Sequence, residues 1–234
     1  MNPNHLSYQN LFWLFMIGCV LGFFIEGVWC RFKYGHWENH PSAVWGPFSC
    51  VYGIGAVVIY IVSLYVRTLS VISQFFLFAL CGTAVEYVCS WFQEVFLKSS
   101  SWDYSTYRFN LHGRVSLRLS LFWGILGTLF AWFVVQPLTS LLQHMTGALC
   151  DALCVILSIF MAVDLLITAL ALLRWRKRLM GTPAKGKAEE WLDRHFGNER
   201  MLSLFSNLEF LDLKSSCRIP EAETADGVKV KRSK

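Results

Sequence analysis

The sequence predicts an all-α polytopic membrane protein: a bundle of about five transmembrane helices followed by a cytoplasmic C-terminal tail. Three observations predict it. Of 234 residues, 55% are hydrophobic and only 16% charged, whereas a soluble domain carries about 25% charged residues. Apolar runs near the ~20 residues needed to span a bilayer fall at roughly 8–29, 49–67, 71–94, 117–136 and 148–173. Basic residues gather in alternate connections between these runs. Residues 1–178 therefore make the bundle and 179–234 the tail.

Taken in order, the N-terminal MNPNHLSYQN has no basic n-region, so the first run is expected to remain as a helix rather than be cleaved. Arg31 and Lys33 follow it. Lys98, Arg108, Arg114 and Arg118 lie between the third and fourth runs, and Arg174, Arg176, Lys177 and Arg178 follow the fifth. The opposite side has only Arg67. This asymmetry predicts the N-terminus outside and the C-terminus inside. His36, Glu38 and His40 alternate in a Pro-bounded loop; without helical spacing or a further ligand they read as solvated, and no metal is expected. The second run opens on WGPFSCVYGIG, where Pro47 suits a helix start. Gly53 and Gly55, like Gly124 and Gly127 in the fourth run, permit close helix packing or line a path.

Between the third and fourth runs lies the stretch that organises the rest, Cys81 to Gly124. Glu86 and Glu94 are eight residues apart, on one helix face and roughly 12 Å apart along the axis. An acid inside lipid costs several kcal/mol unless paired or wet, and Arg114 and Arg118 are the nearest cations in sequence. The candidate polar cluster is Glu26, Glu86, Glu94, Asp103, Asn110, Arg114 and Arg118, with Glu26 and Glu86 expected to face the interior and meet Arg114, directly or through water. Such a network either serves transport or only locks helices and loop together. Gly22-x-x-x-Glu26 and Gly82-x-x-x-Glu86, with Trp45-Gly46 and Trp123-Gly124, hint at a duplication; coincidence of common membrane residues is the other reading. In the fifth run Asp164, deeper than Asp151, is the better candidate for an interior partner.

The tail carries all the excess charge: the first 173 residues are neutral and the net +5 falls after them. Trp191, Leu192, Phe196, Leu202, Phe205 and Leu208 fit one or two amphipathic helices lying on the membrane or on a partner. EAETADGVKVKRSK reads as disordered. Gly181 to Ala188 nearly spells a phosphate loop, but Ala188 replaces the hydroxyl and no strand precedes it, so the chain has no ATPase of its own. The eight cysteines contain no C-x-x-C pair and suggest neither a disulfide framework nor zinc. No catalytic constellation, cofactor site or nucleic-acid signature is evident.

WGPFSCVYGIG, GTAVEYVCSWFQEVF and WDYSTYRFNLHGRVSLRLSLFWGILG, spread over residues 8–140, resemble the bacterial family of type IV ABC-transporter permeases (CmpB-like). The resemblance implies a small multi-pass protein of the bacterial cell (inner) membrane. It also places recurrent positions at Glu26, Gly46, Pro47, Tyr52, Gly53, Gly55, Glu86, Trp102, Asp103, Tyr104, Asn110, Gly113, Arg114, Trp123 and Gly124. Where relatives carry Asn-Arg-Gly before Gly-Pro, this chain has Glu38-Asn39-His40-Pro41 and lacks the basic residue. The reading that follows is the membrane subunit of a transporter, embedded in the lipid bilayer, dimerising, and served by a separate ATPase docked on the 97–116 loop and the tail. The alternatives are a non-transporting scaffold or regulator that recruits a cytoplasmic partner and, third, a membrane-embedded enzyme.

Overall fold

A computed structural model of the chain describes residues 6–37, 41–145 and 147–216. Glu38 and His40 of the expected loop, and the last stretch from Glu221, lie outside the described residues. The architecture is an all-α helical bundle with two very short β ladders at one end.

Helix α1 (Tyr8–Tyr34) begins where Ser7 accepts the Asn10 amide at 3.3 Å and stops at Gly35, whose φ of 80° returns its amide to the Arg31 carbonyl. Both ends follow the usual chemistry, a hydroxyl cap and a left-handed glycine stop. Helix α2 (Cys50–Val66) runs antiparallel beside it. Helix α3 (Val71–Phe92), capped by Ser70 on the Ser73 amide, continues as a π turn, Gln93–Leu97. Helix α4 (Leu117–Leu129) runs through a second π turn, Phe130–Val134, into α5 (Val135–His144). Helix α6 (Ala148–Leu179) is the longest. Four stretches are long and apolar enough to cross a membrane, Tyr8–Lys33, Val71–Leu97, Leu117–His144 and Ala148–Leu179. The expected fifth span is the 17-residue α2, shorter than that. Outward faces are apolar, with Leu21, Phe24 and Val28 on α1 and Val155, Ile159 and Leu166 on α6 all exposed.

Small residues set the spacing of these helices. Gly53 lies against Cys19 and Phe15 of α1, Gly55 and Gly82 against Trp123, Gly124 against Phe75 and Gly127 against Phe78. A Cβ at any of these five would stand within 3.0 Å of its neighbour, so the backbones approach as closely as side-chain volume permits.

One connection departs from expectation. His36, read as solvated, is exposed; the stretch from Pro41 to Ser49 turns back into the bundle, with Ala43, Val44, Phe48 and Ser49 buried. The Ser49 amide donates to the Cys19 carbonyl at 3.0 Å, fifteen residues and thus about 22 Å back along α1 from Tyr34. Ser42 closes the segment on itself, its amide donating to the Phe48 carbonyl and its Oγ accepting from the Cys50 amide at 2.9 Å. Helix α2 therefore starts well below the end of α1. Irregular backbone at that depth is tolerated only where protein surrounds it and its polar groups are paired.

The tail up to Ser216, expected on the membrane or on a partner, folds onto α6. Helices α7 (Lys187–His195), α8 (Asn198–Leu204) and α9 (Leu211–Ser216) bury Leu192, Phe196, Met201, Phe205 and Phe210 against Ala171, Leu172 and Trp175 of α6 and Val44 of the inturned segment. Strand β4 (Glu209–Phe210) pairs antiparallel with β1 (Ser99–Ser100), directly after the π turn of α3. Buried Arg174 holds Asp193 through Nε at 2.9 Å and Nη2 at 2.7 Å, and Arg178 takes the same carboxylate at 2.6 Å. Arg176 pairs with Asp212. Trp191 and Leu202, expected on the apolar face, are exposed; Met201 and Phe210 take the core positions instead.

Candidate functional site

Glu86 lies one helical turn after Gly82 on α3 and is 7% exposed. Two neutral donors reach it: Tyr104 Oη gives a hydrogen bond to Oε1 at 3.1 Å and Trp123 Nε1 to Oε2 at 3.2 Å. Glu26, half-buried one turn after Gly22 on α1, stands close enough for the two charges to interact. Tyr52, in the first turn of α2, faces both carboxylates. Its ring lies 5.7 Å from that of Trp123. Partial burial, then the adjacent Glu86 carboxylate, push the Tyr104 phenol above its ordinary range, which keeps it a donor.

The two halves of the bundle meet here in parallel fashion. A Cβ on Gly22 would strike the Tyr52 ring, and one on Gly82 the Trp123 ring. Each Gly-x-x-x-Glu thus receives an aromatic ring from the following helix. Tyr52-Gly53, not the expected Trp45-Gly46, is the partner of Trp123-Gly124.

Arg114 makes no direct contact with Glu86 or Glu26 among the described residues, and the expectation of a direct pair is corrected. Its Nε and Nη2 donate to Glu94 Oε2 at 3.0 and 2.6 Å, and its Nη1 to Tyr87 Oη at 2.8 Å. The guanidinium also stacks over the Tyr87 ring, 5.0 Å from the centroid. The reason is local: both Glu86 oxygens are taken by Tyr104 and Trp123, while Glu94, one turn beyond Ser90 and accepting from its Oγ at 3.3 Å, stands in the π turn next to the hairpin. Arg114 is delivered by a tight hairpin. Strands β2 (Asn110–Leu111) and β3 (Val115–Ser116) flank a turn with positive φ at His112 and Gly113, closed by the Arg114 amide on the Leu111 carbonyl at 3.1 Å.

The remaining predicted residues build the loop. Asn110 donates to the Ser105 and Tyr107 carbonyls and accepts from the Gly113 amide at 3.0 Å. Asp103 accepts from the Ser105 amide, and Trp102 Nε1 holds the Arg114 carbonyl at 3.0 Å. The Tyr104 amide donates to the Gly113 carbonyl at 2.7 Å, which fixes the tyrosine over Glu86. Arg118 is exposed and makes no ion pair among the described residues. Gly46 takes φ 85° in the inturned segment, a left-handed turn just before Pro47.

The family model described as “Putative ABC-transporter type IV” matches residues 13–169. The chain belongs to that family. The match runs from α1 into α6 and so covers both carboxylates, the hairpin and the inturned segment, while the tail lies beyond it. No curated protein and no solved structure matches the chain. Membership, with four helices long and apolar enough to span, places the chain among the membrane proteins of that family.

Sequence reasoning missed the anchoring of the inturned segment. Asp164 Oδ1 accepts the Trp45 amide at 3.2 Å, and Thr168 Oγ1 accepts the Val44 amide at 2.9 Å. The available signal was an uncharged PSAVWGPFS between two apolar runs, too short to span and unlike a solvated loop. Among the described residues no group of three or more His, Cys, Asp or Glu side chains is arranged to hold a metal.

Proposed function

We propose that this chain is the permease subunit of an ABC-type transporter in the bacterial inner membrane, with its N-terminus outside and the tail in the cytoplasm. The observation that carries the reading is Glu86, held inside the bundle by two neutral donors and with Glu26 near it, where two helix pairs converge. A purely structural acid near a membrane interface would take the nearest guanidinium; Glu94 does so and Glu86 does not. Intramembrane acids without such a partner mark substrate or ion paths by default. The β1–β4 ladder and the Glu94–Arg114 pair join the tail and the hairpin into one surface on the same side. That surface is where a separate ATPase subunit would dock, and two copies of the chain would complete the pathway.

Affinity purification of the full-length chain from native membranes tests this. An ATPase co-purifying in stoichiometric amount, with hydrolysis by the complex reduced by Glu86→Gln, supports the permease. A chain that recovers no ATPase but retains another soluble protein is the scaffold instead.

A further inference from the structure

We propose that Asp164 is a proton-binding site, and that its neutral form is what closes the Pro41–Ser49 segment onto α6. The inference goes beyond the permease reading and does not rest on it. Asp164 is 0% exposed, near the middle of the longest helix. Its two oxygens are unequally served. Oδ1 takes the Trp45 amide at 3.2 Å and lies 3.4 Å from Thr168 Oγ1. The single Thr168 hydroxyl proton is already directed to the Asp164 backbone carbonyl at 2.7 Å. Oδ2 has no hydrogen-bond partner among the described residues. A carboxylate oxygen left bare in a low-dielectric interior is heavily penalised. A proton on Oδ2 removes the charge, keeps the Oδ1 acceptor that the loop uses, and needs no additional space.

Among the described residues the surroundings supply no countercharge. The Pro41–Ser49 segment contains no titratable residue. From α2 the titratable group facing Asp164 is Cys50, which is itself hydrogen-bonded to Cys19 of α1. On α6 itself Asp151 is thirteen residues back, and Arg174, ten residues on, is committed to Asp193 and Glu189. The tail reaches the segment through Phe196 against Trp45, and its Asp193 is held by Arg174 and Arg178. Ionisation must therefore be answered by water, which enters only if the segment lifts; the released proton passes to that water. Closure of the segment, and with it the start of α2, is coupled to one proton.

The test uses the full-length protein in lipid nanodiscs. Hydrogen–deuterium exchange of the peptide covering Pro41–Ser49, referenced to a peptide inside α3, is followed as pH rises from neutral. In the wild-type protein the referenced exchange should climb about tenfold per pH unit once opening is linked to loss of one proton, whereas Asp164→Asn should stay flat. The infrared difference between wild type and Asp164→Asn at neutral pH should show a carboxylic-acid carbonyl band belonging to the wild type. A wild-type segment whose referenced exchange is independent of pH overturns the proposal, and this reading stands even if the variant does not fold. A carboxylate band in place of the acid band also overturns it. So does protection of the segment that depends on sodium chloride and is lost in choline chloride, since a metal cation would then occupy Oδ2.

Discussion

Replacing Asp193 by Asn should detach the tail from α6. Asp193 receives Arg174 on both oxygens and Arg178 on one, and these guanidinium groups, Arg174 foremost, pull its carboxyl from 3.8 down to about 2. That difference corresponds to about 2.5 kcal/mol. The Asp193 side chain keeps 27% exposure, so solvent screening trims it to about 2 kcal/mol. Against this, Arg174 is only 3% exposed, and a buried cation deprived of its partner costs about 3–5 kcal/mol. Arg174 keeps Glu189 at 3.5 Å and the Thr182 carbonyl, which holds the loss to the low end of that range, so about 2–3 kcal/mol of docking is lost, or about 30- to 150-fold in the population of open tail. Tryptic cleavage after Arg194 and Arg200, inside α7 and α8, reads that population directly when reclosing is fast. The sign of the pH dependence follows from the depressed carboxyl. Its contribution is complete above the unfolded value near 3.9 and disappears as pH falls through about 2. Docking should thus be insensitive to pH around neutrality and weaken only in acid. A cleavage rate for Asp193→Asn within about threefold of wild type would refute the reasoning.

Three further outcomes are expected. Gly82→Ala places a methyl against the Trp123 indole and should destabilise the bundle by about 1–3 kcal/mol, measured as denaturant-induced unfolding in detergent micelles. Tyr104→Phe combined with Glu86→Gln in a double-mutant cycle should give a coupling of about 0.5–3 kcal/mol, while Tyr107→Phe with Glu86→Gln should give none. Arg114→Lys loses the forked grip on Glu94 and should raise hydrogen exchange in the 102–116 hairpin without altering exchange in α6.

How far the sequence revealed this arrangement can be judged residue by residue. Hydropathy located every long helix, because a bilayer demands uninterrupted apolar length and that is a property of the string itself. Glu26 and Glu86 were identifiable as interior acids for the same reason. Their partners were not. Charge complementarity alone pointed Arg114 at Glu86; that neutral donors fill both Glu86 oxygens and leave the guanidinium to Glu94 has no local trace in the sequence. Tyr104 and Trp123 lie eighteen and thirty-seven residues from Glu86 and reach it only through tertiary packing. The inturned segment was hidden for a related reason: its hydrogen bonds go to Cys19, Thr168 and Asp164, none of which its own sequence encodes. In the tail the helical period was readable, yet which apolar side chains turn inward was decided by α6.

The depth at which α2 begins bears on how the chain is made. Seventeen residues are few for a segment to enter lipid alone, and the stretch feeding it is coil that must find its hydrogen bonds in α1 and α6. Integration of α2 therefore leans on α1 already being in place as the other leg of a hairpin. Its feeding coil stays provisional until α6, synthesised about a hundred residues later, arrives to anchor it.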